Sequence, residues 1–176
     1  MLANLRRSVL ISLVFFVILG LLYPLAETGI GQALFNHQAN GSLTADGSSM
    51  IGQPWTGPRW FHGRPDADDP MATGGTNLGP RSKQLVQDVR KQIAELKQQG
   101  ITPTPDLVTT SGSGVDPDIA PADAYAQVNA VAKARDISPA AVRHLVATHV
   151  IQAQFGFLGA SYINVLQLNQ ALARSS

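Results

Sequence analysis

The sequence has no cysteine. Disulfides, thiolate zinc sites, iron–sulfur clusters and cysteine nucleophiles are therefore excluded. Charge is scarce as well. Asp, Glu, Lys and Arg make up 14% of 176 residues, against about 25% in ordinary soluble domains. What charge there is balances, with 13 basic and 12 acidic residues and a formal net charge of +1. A chain with no basic surplus lacks the electrostatic footprint of a nucleic-acid binder. Hydrophobic residues nevertheless reach 44%, enough to build a core and too many for a disordered chain. The length suits one domain, or one domain with an anchor, at roughly 100–200 residues per domain.

Long apolar runs are absent with one exception. Ser8 to Ala26 (SVLISLVFFVILGLLYPLA) carries no charge. As a helix it would rise about 28 Å, close to the hydrocarbon thickness of a bilayer. Gly20 and Pro24 are tolerated in membrane helices, and Tyr23 stands where an interfacial aromatic is favoured. A cleaved signal peptide is the competing reading. Against it, the apolar core Val9–Leu22 is long for a signal, and Pro24-Leu25-Ala26 puts proline where a small residue is wanted. Arg6 and Arg7 precede the run, whereas Glu27 to Gly47 has no Lys or Arg. The positive-inside rule then expects a cytoplasmic N-terminus and an outer C-terminal domain, out of reach of cytosolic nucleotides. The expected organisation is residues 1–7 cytoplasmic, 8–26 transmembrane, 27–49 interfacial segment and linker, and 50–176 an extracytoplasmic α+β domain.

Within that domain, periodicity predicts helices over Ser82–Gln99, Pro121–Arg135 and from Ser138-Pro139 onward. The first would bury Leu85, Val86, Val89, Ile93 and Leu96. The second would bury Tyr125, Val128, Val131 and Ala132, and the third Val142, Leu145, Val146 and His149. Ser138 is suited to an N-cap with Pro139 at N1. Asn164 can cap a last short helix. Ala26–Phe35 is expected to prolong the span as an interfacial helix, and Asn36–Ser49 to form a linker or hairpin. Met50–Gln53, Arg59–His62 and Asp106–Thr110 read as short strands. Arg64–Pro80 and Ser111–Asp118 read as loops rich in Gly, Pro, Asp and Ser.

Few residues suggest chemistry. Thr73–Pro80 (TGGTNLGP) has the glycines of an anion-cradling loop but lacks the Lys-Ser/Thr of a phosphate-binding P-loop. Ser111–Asp118 (SGSGVDPD) misses the Gly-x-Ser-x-Gly spacing of a nucleophile elbow. A hydrolase would need Ser111 or Ser113 as nucleophile, His144 or His149 as base and Asp116 as orienter. His144 and His149 stand five apart, not the four of a zinc helix. Asp66-Ala67-Asp68-Asp69 and Asp116/Asp118 read as solvated acidic loops, or as a weak cation-attracting field. Trp55, Trp60, Phe61, Phe155 and Phe157 read as core or anchor aromatics; Trp60 and Arg64 are also of the types enriched at protein interfaces.

Several segments together resemble the KdpC family, the single-span C subunit of the bacterial Kdp potassium-transporting ATPase. They are Ile51-Gly52-Gln53, Trp60-Phe61 with Arg64-Pro65, and Gly74-Gly75-Thr76-Asn77-Leu78-Gly79-Pro80. They continue with Asp106 through Pro117, Ala124-Tyr125, Gln127-Val128, Val131–Arg135, Phe157-Leu158-Gly159, Asn164-Val165-Leu166 and Leu168-Asn169. Asp66, Arg81, Asp118 and Ala120 depart from the family pattern. The resemblance implies a non-catalytic accessory subunit in the bacterial inner membrane, needed for assembly of a potassium uptake pump. Its implied partners are a channel-like potassium-binding subunit, whose outer entrance it meets, the P-type ATPase catalytic subunit and a small single-span subunit. No cofactor is implied for this chain; potassium and ATP with magnesium are used by the complex. A role in nucleotide binding is discounted on the sidedness given above. The residues expected to face partners are Trp60, Arg64, Gly74, Gly75, Asn77, Ser111, Gly112, Ser113 and Asp116. Ser8, Ser12 and Gly20 are expected to allow close packing in the membrane. The rival readings are a membrane-anchored serine hydrolase and an envelope binding module freed by signal cleavage.

Overall fold

The computed structural model describes residues 2–66 and 73–175. The chain divides into two compact units, residues 1–43 and 44–176. The first is dominated by one rod. Helix α1 (Leu2–Val17) passes through a π-helical turn (Ile18–Leu22) into α2 (Tyr23–Leu34). Together they make 33 helical residues, long and apolar enough to cross a membrane, with none of the most apolar window buried within the chain. The expected run Ser8–Ala26 lies inside this rod, and Ala26 to Leu34 prolongs it as a helix. The π turn sits just ahead of Pro24. In a regular helix the proline ring would strike the carbonyl of Gly20, four residues back. Here Tyr23 donates its N–H five residues back to Ile18, and the widened turn absorbs the conflict. A short α3 (Asn36–Ala39) follows, in the stretch read as linker or hairpin.

The second unit is helical with a few two-residue strands, an α+β arrangement as expected. A hairpin of β1 (Leu43–Thr44) and β2 (Gly47–Ser48) comes first. Then come α4 (Lys83–Gln98), α5 (Pro105–Val108), β3 (Asp118–Ile119), α6 (Pro121–Arg135), α7 (Pro139–Thr148), β4 (Ile163–Asn164) and α8 (Val165–Arg174). Strand β3 pairs antiparallel with β4, Asp118 opposite Asn164 and Ile119 opposite Ile163. The helix starts are set by the residues that sequence logic favours. Ser138 accepts from Ala141 N–H at 3.1 Å and Asn164 from Gln167 N–H at 3.2 Å; each satisfies one orphan donor of a first turn.

The main core lies among α6, α7 and α8. Val128, Val142, Val146, Ile163, Leu168 and Leu172 are all completely buried there. Phe61 enters this core from a segment with no regular structure. A second cluster of Leu96, Ile101 and Leu107 joins the end of α4 to α5.

Three expected strands are not strands. Arg59–His62 leaves a turn at Arg59 and has no regular structure, and its backbone pairs with side chains rather than with a neighbouring strand. Asn169 Nδ2 donates to Phe61 C=O and Asn169 Oδ1 accepts from Phe61 N–H, both at 2.9 Å. Gln127 Oε1 accepts from His62 N–H at 2.8 Å while its Nε2 donates to His62 C=O at 3.0 Å. Arg135 Nε donates to Arg59 C=O at 2.7 Å. Two buried amides from α6 and α8 thus do the work of a partner strand. Asp106–Thr110 begins instead as α5, because Pro105 is pre-set for a first helical position. Met50–Gln53 forms a turn in which Gln53 Nε2 folds back on the carbonyls of Ser48 and Ile51. One side-chain expectation fails, and of the core-or-anchor alternatives for Phe155 and Phe157 the core one is removed. Of the α4 stripe only Leu96 is buried, and Val86 is exposed. Phe155 and Phe157 are not core residues, being 79% and 76% exposed.

Candidate functional site

The two glycine-rich loops, far apart in sequence, pack on each other. Gly74 N–H donates to Ser113 C=O at 2.6 Å. A Cβ on Gly75 would stand 3.2 Å from Gly112 O, and one on Gly114 only 2.5 Å from Gly74 O. Gly114 also has φ +71. Glycine is required there twice over, for the left-handed backbone and for the close approach. Gly52 closes the same junction, donating its N–H to Val115 C=O at 2.8 Å.

Two charged side chains hold the loop from beneath. Asp66 Oδ1 accepts from Ser111 N–H at 2.6 Å. Its Oδ2 accepts from Ser111 Oγ and from Asp116 N–H, both at 2.8 Å. Ser111 Oγ in turn accepts from Gly114 N–H at 2.9 Å. Arg64 pairs with Asp106 at 3.3 Å and donates to Thr109 Oγ1 at 3.3 Å and Thr110 C=O at 3.2 Å. Asp66 was read from sequence as part of a solvated acidic loop and as a departure from the family pattern. It is the acceptor hub of the junction, and three donors occupy its oxygens. Its neighbours Asp68 and Asp69 lie outside the described residues.

Of the residues expected at a partner surface, Gly74, Gly112 and Ser113 are exposed at the rim of this junction, and Asn77 is exposed further along the same loop. Ser111 is buried beneath the rim, and Gly75 and Asp116 are half-buried. Arg64 is committed to α5 and the start of the loop. Trp60 is outside the junction; its ring lies 4.9 Å from that of Trp55, tilted by 43°, and under the Arg135 guanidinium at 4.4 Å. A cleft of about 370 Å³ opens beside the junction, with Gln53, Trp55, His62, Arg64, Asp66 and Asp116 among its walls. Burial lowers the His62 pKa, so its ring favours the neutral form.

The residues of a hydrolytic triad are not brought together. The hydrogen bonds of Ser111 and Ser113 go to Asp66, to each other and to the N–H groups of Gly114 and Val115. His149 Nδ1 is engaged at 2.8 Å by Leu145 C=O, and His144 is exposed on α7. Among the described residues no group of three or more His, Asp or Glu is arranged to hold a metal ion.

Residues 5–174 match the family described as "K+-transporting ATPase, c chain", KdpC. The chain belongs to the KdpC family. The match takes in the apolar rod as well as the folded unit. A potassium-transporting ATPase KdpC subunit of Koribacter versatilis is 46% identical over 177 residues, covering 94% of this chain and 92% of its own. The KdpC subunit of Sorangium cellulosum is 45% identical with 98% of both chains covered. That of Burkholderia ambifaria is 48% identical, covering 95% of this chain and 94% of its own.

One buried ionisable group of the folded unit makes a prediction of definite sign. Asp123 is buried in the first turn of α6, where Oδ2 accepts from Ala120 N–H at 3.0 Å. Burial raises its pKa above the ordinary carboxyl value, and the nearby Asp106 pushes the same way. The folded chain therefore binds this proton more tightly than the unfolded chain does. The resulting stabilisation is complete at low pH and is lost as pH rises from about 4 through the folded-state pKa. Asn keeps an acceptor for Ala120 and cannot ionise. Asp123→Asn is expected to reduce the loss of stability between about pH 4 and 7. Urea midpoints measured at intervals across that range check it. An unchanged slope would show that Asp123 titrates normally.

Proposed function

We propose that this chain is a non-catalytic accessory subunit of a potassium-transporting ATPase, needed to assemble and stabilise the complex. The observation that carries the reading is the family match over residues 5–174, which includes rod and folded unit alike. In this reading the rod crosses the inner membrane once. Arg6 and Arg7 keep its N-terminus in the cytoplasm, and the folded unit lies outside. Ser8, Ser12 and Gly20 give neighbouring spans points of close approach. The exposed rim of Gly74, Gly112 and Ser113, with Asn77 further along the same loop, meets the channel-like potassium-binding subunit at its outer entrance. The ATPase catalytic subunit and a small single-span subunit complete the assembly. The hydrogen-bonded scaffold of Arg64, Asp66 and Ser111 supports the reading, because a docking rim works best when its shape is fixed beforehand.

Deleting the chain tests this. The ATPase catalytic subunit is expected to be made at normal levels and to reach the membrane. It is expected not to co-purify with the channel-like subunit after detergent extraction. A fully assembled, potassium-stimulated ATPase lacking this chain would overturn the proposal.

A further inference from the structure

Among the described residues, the most exposed apolar feature of the folded unit is a small hairpin between α7 and β4. Ile151 pairs with Tyr162, and Gln154 with Leu158. At its tip Phe155 and Phe157 are 79% and 76% exposed, and Leu158 is 49% exposed. Nothing about this tip is slack. Gly156 N–H donates to Ala153 C=O at 2.9 Å, Phe157 N–H to Gln154 C=O at 3.3 Å, and Leu158 N–H to Gln154 C=O at 2.9 Å. Phe155 itself is held at φ +54, a left-handed conformation that a bulky residue adopts only at a cost. The fold thus strains one aromatic residue in order to hold two in water.

The chemistry of the hairpin selects what covers it. Ile151 to Tyr162 (IQAQFGFLGASY) contains no Asp, Glu, Lys or Arg. Segments that lie on membrane surfaces combine apolar residues with Lys and Arg that engage anionic lipid; this one has no cation. Two rigid aromatic side chains on an uncharged base are instead the features of an interface anchor. Together they offer about 300 Å², whereas a stable interface takes about 800 Å² from each partner. The tip therefore supplies the centre of a larger contact rather than the whole of it.

We propose that the Phe155–Leu158 tip is an anchor that inserts into an uncharged, apolar pocket on another protein subunit of the same ATPase. This rests on the reading that the chain is an assembled subunit, and it adds a second contact, separate from the glycine-loop rim. The test uses the full chain, co-expressed with the other subunits. Benzoylphenylalanine is installed at position 157, or at exposed Lys97 as a control, and the membranes are irradiated. A cross-link to one ATPase subunit from position 157, and none from position 97, is the expected result. In parallel, Phe155→Asn with Phe157→Ser should cut co-purification of the complex at least tenfold. The melting temperature of the variant chain should hold steady or rise by about 2–4 °C, since strain is relieved and no core is lost. Normal co-purification with no protein cross-link from position 157 overturns the anchor alone. The same holds if position 157 cross-links lipid and the chain's tip binds phosphatidylcholine vesicles. Failure of the unsubstituted chain to co-purify overturns the assembly reading and the anchor with it.

Discussion

Replacing Gly114 by alanine is expected to destabilise the folded unit by about 2–5 kcal/mol. Two costs add. The residue has φ +71, where an L side chain pays about 1–2 kcal/mol. The new Cβ would also stand 2.5 Å from Gly74 O, a backbone atom that cannot rotate away, and overpacking of this kind costs about 1–3 kcal/mol. Gly112→Ala is the matched control. A Cβ there meets nothing within 4 Å, so a change within about 0.5 kcal/mol is expected. Urea unfolding of the full chain in detergent separates the two. Equal effects at positions 112 and 114 would mean that the loops do not approach each other as described. A destabilised Gly114 variant would also lose the exposed rim, so assembly should fall with stability.

A loss of similar size is expected for Asn169→Leu. Leucine keeps the heavy-atom count and branching of asparagine, although its methyl groups are bulkier, and it suits a site that is fully buried. What it removes is a pair of hydrogen bonds to one peptide unit. Phe61 N–H and C=O would be left buried without their 2.9 Å partners. Each unsatisfied group costs about 1–3 kcal/mol, so the total is about 2–6 kcal/mol. Leu at a buried helix position is otherwise favourable in propensity and burial, so a neutral or stabilising outcome would mean that water replaces the amide. Gln167, two residues earlier on the exposed side of α8, should tolerate Ala within about 0.5 kcal/mol.

These two sites also show what could be read from the sequence. The helices α6, α7 and α8 were legible because their signals are local. Pro121, Ser138-Pro139 and Asn164 mark starts, and Val128 with Val131 or Val142 with Val146 mark buried faces. Arg59–His62 has the aromatic residues of a strand, but its backbone partners are the side chains of Gln127 and Asn169, over sixty residues away, and no local pattern announces them. The amphipathic pattern of α4 was real, yet much of its stripe stays at the surface, since periodicity reports a face and not what covers it. In the candidate site, both glycine loops stand out in the sequence by their glycine content. Their reason, contact with each other, needs a pairing of residues 74 and 114 that no local pattern encodes. Asp66 was undervalued for the same cause: an acid in a loop looks solvated until its three donors are known.

The widened turn at Ile18–Leu22 has a consequence for the rod that contains it. One additional residue in a turn advances every later side chain by about 100°. The stripe that includes Ser8 and Ser12 therefore cannot continue in phase beyond Leu22. Neighbours lying alongside the two halves would meet differently oriented surfaces, as though two shorter helices had been joined with a quarter-twist between them.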